Sequence, residues 1–156
     1  MMNKIHNLTK LSSEFIDDPK FESKLRTKYL GAAAGSEKLY INIDYVKPGA
    51  KSVKYHSHSH QEEFFAVLKG NGLLRINNEN IAVKTNDFFA KPAGKRNAHQ
   101  FINTSTEILI ILDCGTKNEN DEVYYPNENV KYRKKEKLAF KDGKLIKNWS
   151  SDPNEY

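Results

Sequence analysis

The sequence predicts an all-β sandwich or barrel, and three observations lead to this prediction. Between residues 39 and 45, apolar residues alternate with polar ones, which is the period of two that turns one face of a strand inward. Turn-forming residues then recur at short intervals as far as residue 105. No helical period lies between these turns, so a parallel βαβ architecture is disfavoured.

The chain length of 156 residues and the mass of 17.9 kDa fit a single domain with one hydrophobic core. Within that domain, the regular apolar pattern is confined to the middle of the chain. We therefore divide the domain 1–156 into an N-terminal arm at 1–36, a barrel core at 37–115 and a C-terminal extension at 116–156.

The strands are predicted in chain order from short runs of strand composition. The arm contains one candidate, residues 21–30, before a run of small residues. The core contains the following candidates: 39–45, 63–68, 73–76, 81–83, 88–90 and 108–112. The last of these is apolar at every position, which predicts a central strand covered on both faces. In the extension only residues 123–125 and the pair Val130 and Tyr132 indicate further strands, and the tail near Trp149 remains unassigned.

Cysteine usage and hydropathy restrict the class of protein. Cys114 is the single cysteine of the sequence, so no internal disulfide and no cysteine-rich zinc site can form, which fits a reducing compartment. No stretch approaches the ~20 apolar residues of a membrane span, and the N-terminal residues lack the apolar segment of a signal peptide. We expect a soluble cytoplasmic protein with no membrane partner.

The net charge of +5 raises the question of nucleic-acid binding. Much of the excess positive charge lies between residues 131 and 147, where acidic residues interrupt it and no recognisable reading helix is present. We interpret this stretch as a solvated face, with an anion-facing surface as the alternative, and we expect no nucleic-acid partner.

The segment that runs from Gly49 to Gly70 carries the most informative constellation. His56 and His58 are spaced by one residue, so on an extended chain their imidazoles point to the same side and can share one metal ion. Glu63 has the opposite parity to His56 and would face away on an unbroken strand. A loop at residues 59–62 is therefore predicted, which would let Glu63 begin the next strand and join the two histidines.

A second segment offers a fourth ligand. His99 enters a predicted strand after a proline and glycine turn, and it shares a face with Phe101 and Asn103. If this face is the barrel interior, His99 completes a set of three imidazoles and one carboxylate. Such a set suits one divalent transition metal, namely Fe, Mn, Ni, Co, Cu or Zn, and disfavours Mg or Ca.

At these residues the sequence resembles the cupin superfamily, over about residues 39 to 113. The first cupin motif matches Gly49, His56, His58, Glu63 and Gly70, with four residues between His58 and Glu63 and six between Glu63 and Gly70. The second motif matches the following positions: Pro92, Gly94, His99 and Asn103. The resemblance is closest to small single-domain cupins of unassigned function. It implies a double-stranded β-helix, or jelly roll, with the metal inside the barrel.

The sequence departs from the cupin pattern at three places. Six residues instead of five separate Gly49 from His56, and four instead of two separate Gly94 from His99, which lengthens the loop before His99. Asn86 stands where the family has glycine. Asparagine adopts a positive φ more easily than most residues, so we expect the turn to survive.

Several other residues have two interpretations each. His60 is either a third imidazole of the strip or an exposed loop histidine, and Glu62 is either an outward neighbour or an acceptor that orients an imidazole. Lys95 and Arg96 either meet an anionic substrate or belong to a solvated turn. We interpret Cys114 as an inert buried thiol at the end of a strand.

The aromatic residues and Asn103 also have two interpretations. Phe64, Phe65 and Phe101 either line a substrate pocket or form core. Asn103 is predicted to secure its turn by hydrogen bonding and not to touch a ligand.

The resemblance leaves the activity open. The first hypothesis is a metal-dependent enzyme of isomerase, epimerase or dioxygenase type that acts on a small oxygenated or anionic substrate. The second is a non-catalytic module that binds a small ligand such as a carbohydrate and holds a structural metal. A third is an empty barrel that serves as a partner-binding domain. Because cupins commonly dimerise and exposed strand edges invite pairing, we expect a homodimer to which residues 1–36 contribute.

Overall fold

The computed structural model describes residues 4–17 and 24–154. In these residues strands dominate, and the helical elements are two 3₁₀ turns at Leu8–Lys10 and Ser13–Phe15 and one α-helix, α1 at Leu30–Ala34. The strands are β1 Leu25–Tyr29, β2 Leu39–Val46, β3 Ser57–His58, β4 Glu63–Lys69, β5 Asn71–Ile76, β6 Glu79–Lys84, β7 Phe88–Lys91, β8 His99–Ile102, β9 Leu109–Thr116, β10 Glu122–Tyr125, β11 Val130–Arg133, β12 Leu138–Lys141 and β13 Lys144–Ile146. Across the described ranges, no helix is both long and apolar enough to cross a membrane.

The strands form three antiparallel sheets. Sheet 1 has the order β1-β2-β9-β4-β7, sheet 2 the order β6-β5-β8, and sheet 3 the order β13-β12-β11-β10-β3. Two isolated bridges, Lys51 to Ile102 and His56 to His99, align the chain before β3 with β8 and so join sheet 2 to sheet 3. This arrangement confirms the predicted all-β jelly roll.

The main hydrophobic core lies between sheets 1 and 2. Sheet 1 and the turn after β2 contribute Val46, Ala50, Phe65, Val67, Leu109 and Ile111, and sheet 2 contributes Leu74, Val83 and Phe101. Burying a side chain of the size of Leu or Phe stabilises the fold by roughly 1.5–3 kcal/mol, so this cluster supplies much of the driving force for closing the barrel. A smaller cluster around Val123, Tyr125, Val130 and Ala139 holds sheet 3 together.

Strand β9 occupies the centre of sheet 1, between β2 and β4, as its apolar sequence predicts. Leu109 and Ile111 are fully buried there. The strand begins one residue later than predicted and continues to Thr116. Cys114 therefore lies inside the strand and not at its end, and its thiol is half-buried. The extension of β9 also places Asp113 within the sheet.

The arm and the extension add strands to the barrel, but with differences from the prediction. The candidate strand at 21–30 is realised as β1, which pairs with β2, while its residues 21–23 lie outside the described residues. Helix α1 packs on β2, where a Cβ atom at Gly31 would lie only 2.8 Å from the backbone nitrogen of Ile41. Strands β10 and β11 match the extension's predicted strands, whereas β12 and β13 were not predicted because they are short and each carries a lysine at one end.

Two predictions about polar residues in turns are confirmed. Asn86 has a φ of 75°, so it adopts the left-handed conformation for which the family uses glycine. The side chain of Asn103 is fully buried and donates hydrogen bonds to the carbonyls of Val46 at 2.8 Å and Glu107 at 2.7 Å. Its Oδ1 accepts from the backbone nitrogen of Ser105, so Asn103 fixes the connection from β8 to β9.

A buried acid joins β1 to β2. The hydroxyl of Thr27 donates to Oδ1 of Asp44 at 2.7 Å, and Asp44 is 6 % exposed. Burial raises the pKa of Asp44 from 3.8 to about 6, although the hydrogen bond from Thr27 opposes this effect. The folded state therefore holds a proton at Asp44 more tightly than the unfolded chain does. Above a pH of about 6, the ionised carboxylate destabilises the fold.

We predict that Asp44→Asn raises the free energy of unfolding at about pH 8. The asparagine keeps an acceptor for Thr27 and removes the buried charge, and the pKa difference corresponds to a gain of roughly 3 kcal/mol. The gain should shrink as the pH falls through 6 towards 4, because the wild-type carboxylate becomes protonated in the folded state. Urea denaturation across this range measures the effect, and a variant that is less stable at every pH would contradict it.

Candidate metal centre

The four predicted ligands come from three parts of the fold. His56 precedes β3, and His58 ends β3 in sheet 3. Glu63 is the first residue of β4 in sheet 1, and His99 is the first residue of β8 in sheet 2. The chain leaves β3 after His58 and enters β4 at Glu63, so residues 59–62 form the break that the opposite parity of Glu63 requires. All four side chains are buried.

His56, His58 and Glu63 form a cluster suited to a metal ion. One ligand atom from each of these residues lies within 4.8 Å of the other two. The imidazole rings of His56 and His58 meet edge to face with their centroids 4.9 Å apart. Within this cluster, His58 Nε2 lies 3.2 Å from Glu63 Oε1. The three residues therefore converge on one small volume inside the barrel.

Hydrogen bonds fix the orientation of both imidazoles. His56 Nδ1 lies 2.7 Å from the carbonyl oxygen of Lys54, and His58 Nδ1 lies 2.7 Å from Oδ2 of Asp121. Because both partners are acceptors, each Nδ1 carries the proton and each Nε2 keeps its lone pair for the interior. This is the arrangement that supports histidine ligands in known metal sites.

Asp121 was not predicted, although it organises the loop beneath the site. Besides His58, it accepts hydrogen bonds from the backbone nitrogens of His60 at 2.9 Å and Gln61 at 3.2 Å, and it pairs with Lys134 at 2.9 Å. These partners outweigh the effect of burial and hold the pKa of Asp121 below its usual range. The acceptor proposed from the sequence, Glu62, is exposed.

Glu63 is buried with a charge that several neighbours compensate. Tyr40 donates a hydrogen bond to Oε1 at 3.1 Å, and Lys91 Nζ lies 2.6 Å from Oε2. Burial raises the pKa of Glu63, but the contacts with His58 and Lys91 outweigh burial and hold the pKa well below its usual range. Glu63 is therefore a carboxylate at neutral pH.

One buried atom in the cluster is suited to a cation. His58 Nε2 has no donor partner among the described residues, although it is shielded from solvent and faces Glu63 Oε1 at 3.2 Å. Both of these atoms are electron-pair acceptors, and an ion between imidazole and carboxylate would satisfy both. The residues present therefore fit a divalent metal.

Lys91 is the second residue that was not predicted. It is 2 % exposed, lies directly opposite Glu63 in the pairing of β4 with β7, and also approaches His99 Nδ1 at 2.7 Å. Burial lowers the pKa of Lys91, while the carboxylate of Glu63 opposes this shift. The predicted strand at 88–90 ended one residue short of Lys91. The alternation of residues in this segment nevertheless indicated the direction of Lys91, since Lys91 shares a face with Phe89.

His99 lies beside the cluster. Its ring centroid is 4.8 Å from that of His56, and its Nδ1 is 3.9 Å from Glu63 Oε2. Burial lowers the pKa of His99 well below its usual range and lowers that of His56 to about 3, so both rings are neutral at pH 7. In this structure the three-residue cluster forms without His99, and the fourth ligand stays a prediction.

The cluster opens into a cavity of about 570 Å³. Asp44 and Asp113 line it together with Tyr40, whose hydroxyl lies 2.8 Å from Oδ1 of Asp113. Burial raises the pKa of Asp113 well above its usual range, and the nearby carboxylates of Asp44 and Glu63 raise it further. Groups that can hold and exchange protons therefore share the cavity with the metal-binding cluster.

The positive residues that line this cavity differ from those suggested by the sequence. Lys117 and Lys134 line it, whereas Lys95 and Arg96 lie exposed on the turn before β8 and do not. His60 is also exposed, and its Nδ1 lies 2.8 Å from the hydroxyl of Ser59. The interpretations of Lys95, Arg96 and His60 as surface residues agree with these positions.

The aromatic residues divide between the inside and the outside of the barrel. Phe65 and Phe101 belong to the hydrophobic core and also line the cavity. Phe64 points outward and is 38 % exposed. Both interpretations, core residue and pocket lining, are therefore correct for Phe65 and Phe101. Neither is correct for Phe64.

A known protein family and several solved structures are similar to this chain. Residues 43–115 match the family described as "Cupin domain". A search of curated proteins finds no match. The solved structures include a protein from Acidithiobacillus ferrooxidans, provisionally assigned as a sugar phosphate isomerase. It is 31 % identical, with a TM-score of 0.67, and the match covers 78 % of this chain and 74 % of that one.

Two other solved structures have similar folds. A sugar phosphate isomerase of the cupin superfamily from Silicibacter pomeroyi is 27 % identical, with a TM-score of 0.68 and coverage of 79 % and 74 %. A Photorhabdus luminescens protein is 26 % identical, with a TM-score of 0.58 and coverage of 76 % and 91 %. Together with the two motifs and the barrel that carries them, these matches establish that the chain belongs to the cupin superfamily.

Proposed function

We propose that this cupin is a metal-dependent enzyme that isomerises a small sugar phosphate. The observation that carries the proposal is one cavity in which the cluster of His56, His58 and Glu63 lies beside the hydrogen-bonded pair of Tyr40 and Asp113. The names of two similar structures, from A. ferrooxidans and S. pomeroyi, support the substrate class.

The chemistry of the cavity fits such a reaction. When bound, the divalent ion supplies a Lewis acid for a carbonyl or hydroxyl oxygen of the substrate. The ion would be held by His56, His58 and Glu63, and the predicted fourth ligand, His99, would join them where its ring is released from Lys91. The donor set suits Fe, Mn, Ni, Co, Cu or Zn.

The residues beside the cluster suit the proton transfers of an isomerisation. Interconversion of an aldose and a ketose removes a proton from one carbon and returns a proton to its neighbour. Tyr40 and Asp113 share a hydrogen bond of 2.8 Å, and the raised pKa of Asp113 lets its carboxyl group hold a proton at neutral pH. Asp44, with a pKa of about 6, lines the same cavity.

We expect the purified protein, loaded with each candidate metal in turn, to interconvert a small aldose phosphate and its ketose phosphate. Proton NMR in deuterated water, over a panel from triose to hexose phosphates, would show both the conversion and deuterium entry at the carbon next to the carbonyl. His56→Ala should lose bound metal and turnover together, because it removes a ligand whose orientation is fixed by Lys54.

The same panel distinguishes the alternatives. Saturable binding of a sugar without deuterium entry would contradict the enzyme proposal and favour a non-catalytic carbohydrate-binding module with a structural metal. Consumption of O₂ by the Fe-loaded protein would favour a dioxygenase. Full metal content in His56→Ala would contradict the proposed metal site itself.

We further expect Lys117 to contribute to recognition of the phosphate, because it is one of the residues that line the cavity. Its Nζ, which donates to the carbonyl of Ser36 at 2.6 Å, would exchange that contact for the phosphate. Lys117→Glu should raise KM for a phosphorylated substrate by about tenfold or more, while metal content stays unchanged. Lys95→Glu is the matched control, since it makes the same change in charge on an exposed turn outside the cavity. Equal effects of the two substitutions would contradict a specific role for Lys117.

We also propose that the chain is a cytoplasmic homodimer, with a contribution from the arm. Sheet 1 exposes apolar side chains near its β7 edge, where Phe88 is 71 % exposed and stacks with Phe64 at 6.0 Å between ring centroids. Exposed apolar patches of this kind commonly serve as interfaces.

Light scattering should give a mass of twice 17.9 kDa for the wild type. Phe88→Glu should shift the mass towards that of one chain, because it places a charge in the apolar patch. Leu145→Glu is the control, since Leu145 is 52 % exposed on β13 in sheet 3. A monomeric wild type would contradict the proposal.

A further inference from the structure

Lys91 occupies an unusual position for a lysine. Its side chain enters the barrel from β7 and ends between two of the predicted metal ligands, with Nζ 2.6 Å from Glu63 Oε2 and 2.7 Å from His99 Nδ1. Lysine is rarely fully buried unless it is paired. Here both of its partners belong to the candidate metal centre.

These contacts take up electron pairs that a metal would need. A lysine that is ion-paired with Glu63 is a hydrogen-bond donor, so His99 Nδ1 acts as the acceptor. A neutral imidazole has one nitrogen with a free lone pair, and in His99 that lone pair faces Lys91. While the contact exists, His99 has no lone pair for a metal ion, and Oε2 of Glu63 is engaged as well.

The other half of the cluster is not affected by Lys91. His56 and His58 are oriented by Lys54 and Asp121, so their Nε2 atoms remain available. Oε1 of Glu63 faces His58 at 3.2 Å. An ion could therefore bind to these three residues while Lys91 keeps its place. It would gain His99 and the second carboxylate oxygen only if Lys91 moved away.

We propose that Lys91 is an internal competitor of the metal, which limits the ion to His56, His58 and Glu63 by holding His99 and the second oxygen of Glu63. This inference rests on the proposed metal centre and adds a residue that weakens it. The lysine also stabilises the buried carboxylate when no ion is bound, so the site can stay folded without metal.

A double-mutant cycle between Lys91 and His99 tests the proposal. Dissociation constants for Co²⁺ and Zn²⁺ would be measured by competition with a chromophoric chelator in wild type, Lys91→Met, His99→Ala and the double variant. We expect Lys91→Met to tighten binding by about tenfold or more, which is the size of effect that groups contacting metal ligands produce. His99→Ala should change the wild-type affinity little, but it should abolish the gain in the Lys91→Met background.

Two controls separate this effect from general changes in charge or folding. Lys69→Met removes an exposed lysine on β4 and should leave the affinity unchanged. Lys91→Gln, which is uncharged but polar, should tighten binding in the same direction as Lys91→Met. Circular dichroism melting would confirm that each variant used in the cycle is folded.

The electron paramagnetic resonance spectrum of bound Cu²⁺ gives a second readout that does not depend on affinity. Nitrogen couplings should indicate two imidazoles in the wild type and three in Lys91→Met, and the third should disappear when His99 is also replaced.

Three coupled nitrogens in the wild type, or unchanged or weaker binding in Lys91→Met, would overturn the inference. Failure of the metal centre itself is a separate result, because His56→Ala would then leave binding unchanged in both backgrounds.

Discussion

The buried charge of Glu63 is the constraint on which the interior of the barrel depends. A carboxylate removed from water must be compensated by hydrogen bonds or by positive charge, since an unpaired buried charge costs several kcal/mol. Glu63 accepts a hydrogen bond from Tyr40 at one oxygen and is ion-paired with Lys91 at the other. The register that places Glu63 opposite both Lys91 and Gly115 therefore fixes which side chains face the cavity.

The interactions that support this site extend beyond the barrel core. Lys134, in the extension, pairs with Asp121, and Asp121 in turn holds His58. The extension thus does more than cover an edge, since β10 also pairs with β3 and positions His58 in the backbone ladder. The geometry of the candidate metal centre and the order of sheet 3 are therefore linked through one aspartate, whose side chain is fully buried.

The sequence predicted those features that depend on local spacing. Parity along the chain predicted the break between His58 and Glu63, and turn chemistry predicted the conformation of Asn86 and the role of Asn103. Lys91 and Asp121 were not predicted, because their roles depend on which distant strand lies opposite. Alternation shows which face a residue occupies, but it does not identify the residue across the sheet. Strands β12 and β13 were missed because each is short, and the lysines next to their turn, Lys141 and Lys144, share a face with Ala139 and Ile146 and so interrupt the apolar alternation.

The loop that carries His56 is held by residues far along the chain. The backbone nitrogen of Lys54 donates to the carbonyl of Ser151 at 2.9 Å, and the side chain of Asn154 bonds both the nitrogen and the oxygen of Lys51, at 3.0 and 2.8 Å. Lys54 is also the residue whose carbonyl orients the imidazole of His56. Residues 151–154 contribute no chemical group to the cavity, yet substitutions among them would disturb the contacts that hold this loop. Substitutions in this stretch would therefore shift the loop that carries His56, and with it the geometry of the candidate metal centre, although they lie outside the cavity.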